Sequence, residues 1–245
     1  MMRFKLVIEY DGTEYHGWQV QPNGRTVQAV LEEAIFRMRG ERVRVTAAGR
    51  TDAGVHACGQ VISFVLQRPT TPDALWHGLN ALTPRDVSIR ATEVAADDFD
   101  ARRGARSRMY AYRIWNAPWA SPFWRRYAWH IRRTLDPARM RVAAAHVLGE
   151  HDFSSFQGAD SDAAKPVRRV LGSELEAVDC LITYTIEATG FLRHMVRNIA
   201  GTLVEIGMGE RNPDDLPRLL AARDRTQAGP TAPACGLCLT QVKYD

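Results

Sequence analysis

The chain has 245 residues, 45% of them hydrophobic, which is enough to bury a core in one large domain or two smaller ones. Its four cysteines are too few and scattered for a disulfide scaffold, and no stretch approaches the roughly 20 apolar residues of a membrane span, so a soluble cytoplasmic protein is expected. A net charge of +4 suits a polyanionic partner without demanding one; arginine supplies 29 of the 32 basic residues, a bias that favours phosphate and base contacts and that arginine-rich codon usage would also produce.

Arg3 to Tyr10 alternates as a strand does, and the polar, glycine-containing stretch Asp11 to Arg25 is a loop of a length that is usually functional. From Thr26, an N-cap candidate, apolar Val27, Val30, Leu31, Ala34, Ile35 and Met38 share one helical face, and Gly40 ends the helix. Strands over Val43 to Ala47 and Gln60 to Leu66 flank the loop Gly49 to Cys58; a helix over Asp73 to Leu82 and a strand over Val87 to Val94 follow. The second half repeats the rhythm: strand Arg108 to Trp115, helix Pro137 to Leu148, strands Val170 to Val178 and Leu181 to Ala188, helix Phe191 to Ile206, a short helix over Asp214 to Ala222, and a final strand Gly236 to Val242. The fold class is therefore α+β, two ferredoxin-like β-α-β-β-α-β halves, with the boundary in the charged segment Asp97 to Arg108 and the halves covering residues 1–104 and 105–245.

The loop Ala48-Gly49-Arg50-Thr51-Asp52-Ala53-Gly54-Val55-His56-Ala57 sets an acid between two glycines and beside an arginine and a histidine. Glycines allow positive φ or close backbone approach, and a carboxylate held there can serve as nucleophile or base. The same spacing also fits a tight turn in which Asp52 caps the backbone and Arg50 pairs with it. His56 fits a structural role, hydrogen-bonding the turn. Cys235-Gly-Leu-Cys238 has the spacing of a zinc half-site, but no second CxxC or HxxxH completes it, and on a strand the two thiols would face opposite ways; no metal site is expected. There is no Walker A loop, no GxGxxG after a strand and no HExxH.

Gly49 to Ala57 resembles the signature of the TruA family of tRNA pseudouridine synthases, whose Asp is catalytic. Tyr110-Ala111-Tyr112-Arg113-Ile114-Trp115-Asn116 is similar to the family strand whose first Tyr lies against the target base, and Met195-Val196-Arg197-Asn198-Ile199 to the helix carrying a basic partner for the Asp. Tyr10 to Thr13 with Gly17 to Gln19, Gly149 to Phe153 and Asp224 to Thr226 also agree, so the resemblance spans essentially the whole chain; Ala111 and Trp115 depart from the family pattern. It implies a pseudouridine synthase fold with antiparallel sheets, isomerisation of uridine to pseudouridine in the anticodon stem-loop of tRNA at positions 38–40, and a homodimer. The site would comprise Asp52 as catalytic carboxylate, Arg50 as its loop partner, Arg197 as its ionic partner and Tyr110 stacked on the extruded uracil.

That chemistry breaks C1′–N1 and forms C1′–C5 with no oxidation, reduction or hydrolysis, so no cofactor is expected. Without the resemblance, Tyr110 would be a core tyrosine. Arg193 and Arg197 would lie together on the solvated face of the helix that begins at Phe191. Arg102, Arg103, Arg106, Arg108, Arg125, Arg126, Arg132 and Arg133, interleaved with Trp115, Trp119, Trp124, Tyr127 and Trp129, suit RNA contacts, though many of these aromatics must be core. Two other readings remain: a non-catalytic RNA-binding module of the same fold, and a carboxylate glycosidase, which needs a second acid that the Asp52 loop lacks.

Overall fold

The computed structural model describes residues 1–158 and 165–244. The elements in chain order are β1 (Met2–Tyr10), α1 (Val27–Arg39), β2 (Thr46–Ala47), β3 (His56–Leu66), α2 (Pro72–Leu82), β4 (Val87–Val94), β5 (Ser107–Asn116), β6 (Trp129–Ile131), α3 (Pro137–Ala145), β7 (Gly149–Asp152), β8 (Val167–Val178), β9 (Leu181–Ala188), α4 (Met195–Gly207), α5 (Asp215–Ala222) and β10 (Leu237–Lys243). The class is α+β, and the chain forms two compact units: residues 1–106 with 239–245, and residues 107–238. The last strand therefore begins in the second unit and ends in the first.

In the first unit the sheet runs β4-β1-β3, antiparallel throughout, with β2 and the Leu239–Lys243 part of β10 on the far side of β3. Phe4, Leu6, Ile8 and Tyr10 alternate inward along β1 and register against β3, Phe4 opposite Phe64 and Leu6 opposite Ile62. β3 is buried almost end to end because its other face is covered too, by Ala48, Ala101, Phe99, Val242 and Tyr244 packed around Val61. The two helices are punctuated as their sequences dictate. Thr26 caps α1 by accepting from the N–H of Ala29, and Gly40, at φ 68°, closes it with a hydrogen bond to the Phe36 carbonyl. Thr71 caps α2, Pro72 opens it, and Leu75 and Leu79 are its buried anchors.

In the second unit the order is β5-β9-β8-β7, antiparallel, with β6 running parallel to the end of β5. Tyr110, Tyr112 and Ile114 of β5 point inward opposite Ile186, Tyr184 and Ile182 of β9. α4 covers them with Met195, Val196, Ile199, Leu203 and Ile206, each side chain stabilising the fold by up to about 1.5–3 kcal/mol. A Cβ on Gly201 would sit 1.8 Å from the Pro230 carbonyl oxygen, so the chain after α5 passes directly against this helix.

Several boundaries differ from the sequence expectation, and three of them bear on the candidate site. β2 is two residues long, not five. β3 starts at His56, so Ala57 and Cys58 belong to a strand. α4 starts at Met195 because His194 adopts φ 60°, outside the right-handed helix, and this puts Arg193 in the turn before the helix and not beside Arg197 on its face. Among the described residues no helix is long and apolar enough to cross a membrane.

Candidate active site

In the first unit the segment between β2 and β3 carries Asp52 on a turn held from three directions. The N–H of Val55 donates to the Asp52 carbonyl (3.1 Å), closing the turn, and Gly54 takes φ 77° within it. The loop after β1 then docks onto that turn: the Trp18 N–H donates to the Thr51 carbonyl (3.0 Å) and the Gly54 N–H to the Tyr15 carbonyl (3.2 Å). From below, the Tyr10 and Thr51 hydroxyls share a buried 2.8 Å hydrogen bond, and Gln60 Nε2 donates to the Gly49 carbonyl (2.7 Å). Thr51 and Val55 are 7% and 2% exposed, while Asp52 between them is only half-buried, so the backbone is fixed and the carboxylate stands at the rim.

The long loop is ordered by its own polar network. The Tyr15 hydroxyl donates to Asp86 Oδ1 (2.6 Å), and Arg25 forks onto the same carboxylate (2.8 and 3.2 Å) while lying 4.4 Å over the Tyr15 ring. Burial, and then the bond to Asp86, push the Tyr15 phenol far above its ordinary range. Buried Gln28 accepts from the Val20 N–H and donates to the Val45 carbonyl. Two glycines make the docking possible: a Cβ on Gly12 would lie 2.0 Å from the Val55 carbonyl oxygen, and one on Gly17, at φ 88°, would lie 2.8 Å from that of Thr51.

His56 is buried and meets this loop. Its Nδ1 accepts from the Gly12 N–H at 3.0 Å and lies 3.2 Å from Asp11 Oδ1, so its role is structural as expected, but these contacts are to the loop after β1. Arg50 is exposed and makes no hydrogen bond or ion pair among the described residues, so the turn forms without the expected pairing of Arg50 with Asp52.

In the second unit Tyr110 is 8% exposed on β5, its ring edge-on to Phe191 at 5.0 Å and 83°. Phe191 belongs to the turn before α4, and its role as the support of Tyr110 had no signature in sequence. Arg197, half-buried in the first turn of α4, donates through Nε to the Ala232 carbonyl (2.7 Å), and the Ala232 N–H returns a bond to the Arg197 carbonyl (3.1 Å). Its positive charge also reaches Tyr112 and Cys235, opposing the upward shift that burial gives the phenol and the thiol. Tyr112 donates to the Pro233 carbonyl (2.8 Å), fixing the same stretch from the sheet side.

The expected arginines divide. Arg102, Arg103, Arg106, Arg125, Arg126, Arg132 and Arg133 are exposed, whereas Arg108 is half-buried with Nη1 on the Thr189 carbonyl (3.1 Å), and Arg133 is tied to Glu210. Of the aromatics, Trp119 and Phe123 are 58% and 84% exposed, while Trp115 and Trp124 stack on one another at 6.5 Å. Among the described residues no group of three or more His, Cys, Asp or Glu side chains could hold a metal ion. Cys235 sits on a helical turn before β10 with its Sγ against the Ala128 carbonyl (3.7 Å), and Cys238 is buried in β10.

A family model described as tRNA pseudouridine synthase matches residues 6–102 and 143–245. Arg50, Asp52 and Arg197 lie inside the matched stretches, and Tyr110 lies between them. The chain is 48% identical over 245 residues to the tRNA pseudouridine synthase A of Myxococcus xanthus, covering all of this chain and 92% of that protein. It is 47% identical to that of Pelobacter propionicus and 46% identical to that of Geotalea uraniireducens, each over 244 residues and the full length of both chains.

Proposed function

This chain belongs to the TruA family of tRNA pseudouridine synthases, isomerases that convert uridine in tRNA to pseudouridine, and from that premise we propose that Asp52 is the catalytic carboxylate and that the target uridines lie in the anticodon stem-loop, at positions 38–40. The observation that carries the assignment of Asp52 is its setting, a half-buried carboxylate on a turn whose neighbours Thr51 and Val55 are pinned in the core. A carboxylate so held keeps its geometry while a base is brought to it, which is the positioning a covalent or proton-transfer step needs.

The reaction balances without a redox partner. The C1′–N1 bond breaks, the uracil turns, C1′–C5 forms, the C5 hydrogen leaves as a proton and N1 gains one. Asp52 has two sound routes, attack on the sugar or ring as a nucleophile, or removal of a sugar proton while its charge balances the developing cation. The target base must leave its stack to be reached. Tyr110 is assigned by the family resemblance as the surface that receives it, a contact worth on the order of 1–3 kcal/mol per base, with Phe191 bracing the ring. The same resemblance assigns Arg197 to pair with and orient the Asp52 carboxylate; its Nε bond to the Ala232 carbonyl limits where its guanidinium can swing. Arg50, exposed and without a partner among the described residues, is available for the RNA backbone or for the gap the base leaves. In this reading the residue 1–104 half supplies the acid and the residue 105–245 half the base-stacking tyrosine and the basic helix. In this reading the protein works in the cytoplasm, where tRNA is, as a homodimer, a state the resemblance implies and sedimentation would test.

The test is tritium release from unmodified tRNA labelled at uracil C5, with the product mapped, for the wild type and Asp52→Asn, without added metal or cofactor. Release by the wild type alone, mapping to the anticodon arm, is expected. Equal release by Asp52→Asn would remove that residue from the chemistry, and tight tRNA binding with no release by either protein would leave an RNA-binding module.

A further inference from the structure

The stretch from Ala228 to Pro233, in the second unit between α5 and β10, belongs to no helix or strand, yet Ala228, Gly229 and Ala232 are buried. Buried backbone groups outside regular structure must find their partners elsewhere. Here side chains supply several of them. Arg225 Nη1 donates to the Ala228 and Gly229 carbonyls (3.3 and 2.9 Å), and the Gly229 N–H donates to Thr202 Oγ1 on α4 (2.9 Å). Arg225 Nη2 donates to Asn198 Oδ1 and Thr231 Oγ1 (both 3.1 Å). Asn198 is fully buried in α4 and is itself anchored, its Nδ2 donating to the Phe156 carbonyl (2.8 Å). One planar guanidinium thus ties two carbonyls of the stretch to a core amide of the helix, a span that the compact ammonium of a lysine does not reproduce.

The stretch also lies hard against α4. A Cβ on Gly229 would sit 2.8 Å from the Thr202 Cα and equally close to Glu205 Oε2, a carboxylate bound by Arg211. Beyond Thr231, Ala232 exchanges two hydrogen bonds with Arg197, and the Pro233 carbonyl accepts from the Tyr112 hydroxyl (2.8 Å). Ala232 therefore sits between two clamps, Arg225 acting through Thr231 on one side and Tyr112 on the other. Arg225 grips α4 at Asn198, the residue next to Arg197, so the carbonyl that takes Arg197 Nε is placed relative to the same helix that carries Arg197.

We propose that Arg225 is a positioning residue for the isomerisation: with Asn198 it clamps the stretch from Ala228 to Thr231 onto α4 and so fixes the Ala232 carbonyl that orients the Arg197 side chain. The proposal rests on the reading of Arg197 given above. Arg225 acts through Arg197 and needs no contact with the RNA.

The test measures single-turnover tritium release and tRNA affinity at several KCl concentrations for the full-length wild type, Arg225→Gln, Arg225→Lys, Arg197→Gln and the Arg225→Gln/Arg197→Gln double variant. Arg225→Gln should slow release about tenfold or more, as misplacement of a group near the chemistry does, with tRNA affinity and its salt slope at the wild-type values. Arg225→Lys should be as slow as Arg225→Gln, because the fork is lost in both. In the Arg197→Gln background Arg225→Gln should cost nothing further. Thr231→Val removes one acceptor of the clamp at an exposed position, so it should fold and be slowed in the same direction; if Arg225→Gln fails to fold, it takes that variant's place in the cycle. Arg218→Gln, on exposed α5 beside Asp215, should match the wild type throughout. A wild-type rate in Arg225→Gln, or an undiminished further loss when Arg197 is already replaced, overturns the proposal. Weakened tRNA binding with a salt slope reduced by about one, restored by Arg225→Lys, would make Arg225 an RNA contact and overturn it as well. Arg197→Gln at the wild-type rate sinks the Arg197 assignment and the proposal with it, and no release by the wild type sinks the isomerase reading; slow Arg197→Gln beside fast Arg225→Gln sinks the clamp alone.

Discussion

The hydroxyls of Tyr10 and Thr51 meet in a buried 2.8 Å hydrogen bond, which ties the last residue of β1 to the residue that precedes Asp52. Tyr10→Phe leaves the Thr51 hydroxyl without that partner in a site only 7% exposed, at a cost of about 1–3 kcal/mol. The melting temperature should drop by several degrees, about 2–4 °C per kcal/mol for a chain of this size. Tritium release should slow several-fold because the turn carrying Asp52 loses one of the hydrogen bonds that hold it. Thr51→Val in the Tyr10→Phe background should cost less than the sum of the two single changes, since the unpaired hydroxyl is then gone; strict additivity would show that the bond does not couple them.

Gly17 is required twice over, by its φ of 88° and by the 2.8 Å that a Cβ would leave to the Thr51 carbonyl oxygen. Gly40, at φ 68° with nothing within 4 Å of a Cβ, isolates the first requirement. Gly40→Ala should therefore cost about 1 kcal/mol, the backbone term alone. Gly17→Ala should cost more, about 2–4 kcal/mol, and should lower kcat as well, because relief of the clash displaces the Asp52 turn. Equal denaturation midpoints for the two variants, measured in urea, would contradict the close packing of the two loops.

Local signals account for what could be read in the sequence. α1 is written in full, with Thr26, the spaced face from Val27 to Ile35, and Gly40 in order. Asp52 is marked by the glycines on either side, whose backbone freedom the turn uses at Gly54. The start of α4 was misplaced because Leu192, Met195, Val196 and Ile199 keep helical spacing through a turn that is not helical; burial fixed those apolar positions, while the φ of His194 left no mark in composition. β6 and β7, three and four residues long, are too short for periodicity to reveal. Tertiary pairings were also hidden: Phe191 against Tyr110, Arg225 against Asn198 and Thr231, and the Gly17 loop against Thr51 join residues that no local pattern links.

Metal removal should leave the rate unchanged. The isomerisation needs no Lewis acid to balance it, and the one metal-like spacing in the sequence is poorly prepared: burial holds the Cys235 thiol above its ordinary range, against the thiolate a metal would need. Protein dialysed against EDTA and assayed in chelator should match untreated protein in tritium release and melting temperature. A loss restored by zinc in both Cys235→Ser and the wild type would place a metal elsewhere; restoration in the wild type alone would place it at Cys235.

Acid should act on the fold through Asp224. Its carboxyl is held below the ordinary carboxylate range, first by the side-chain hydrogen bond from Thr226, then by the Thr226 N–H and Gln227. A depressed folded-state value means that the ionised form favours the fold, so this contribution is complete above the unfolded value near 4 and disappears as pH falls through the lower folded value. Asp224→Asn removes it at every pH. The variant should be less stable than the wild type at pH 7 and pH 5, and the two urea midpoints should converge as pH falls below the unfolded value and the wild-type carboxylate is protonated. A midpoint difference that stays constant as pH falls through the acid range would show that the carboxylate, though capped, contributes nothing by its charge.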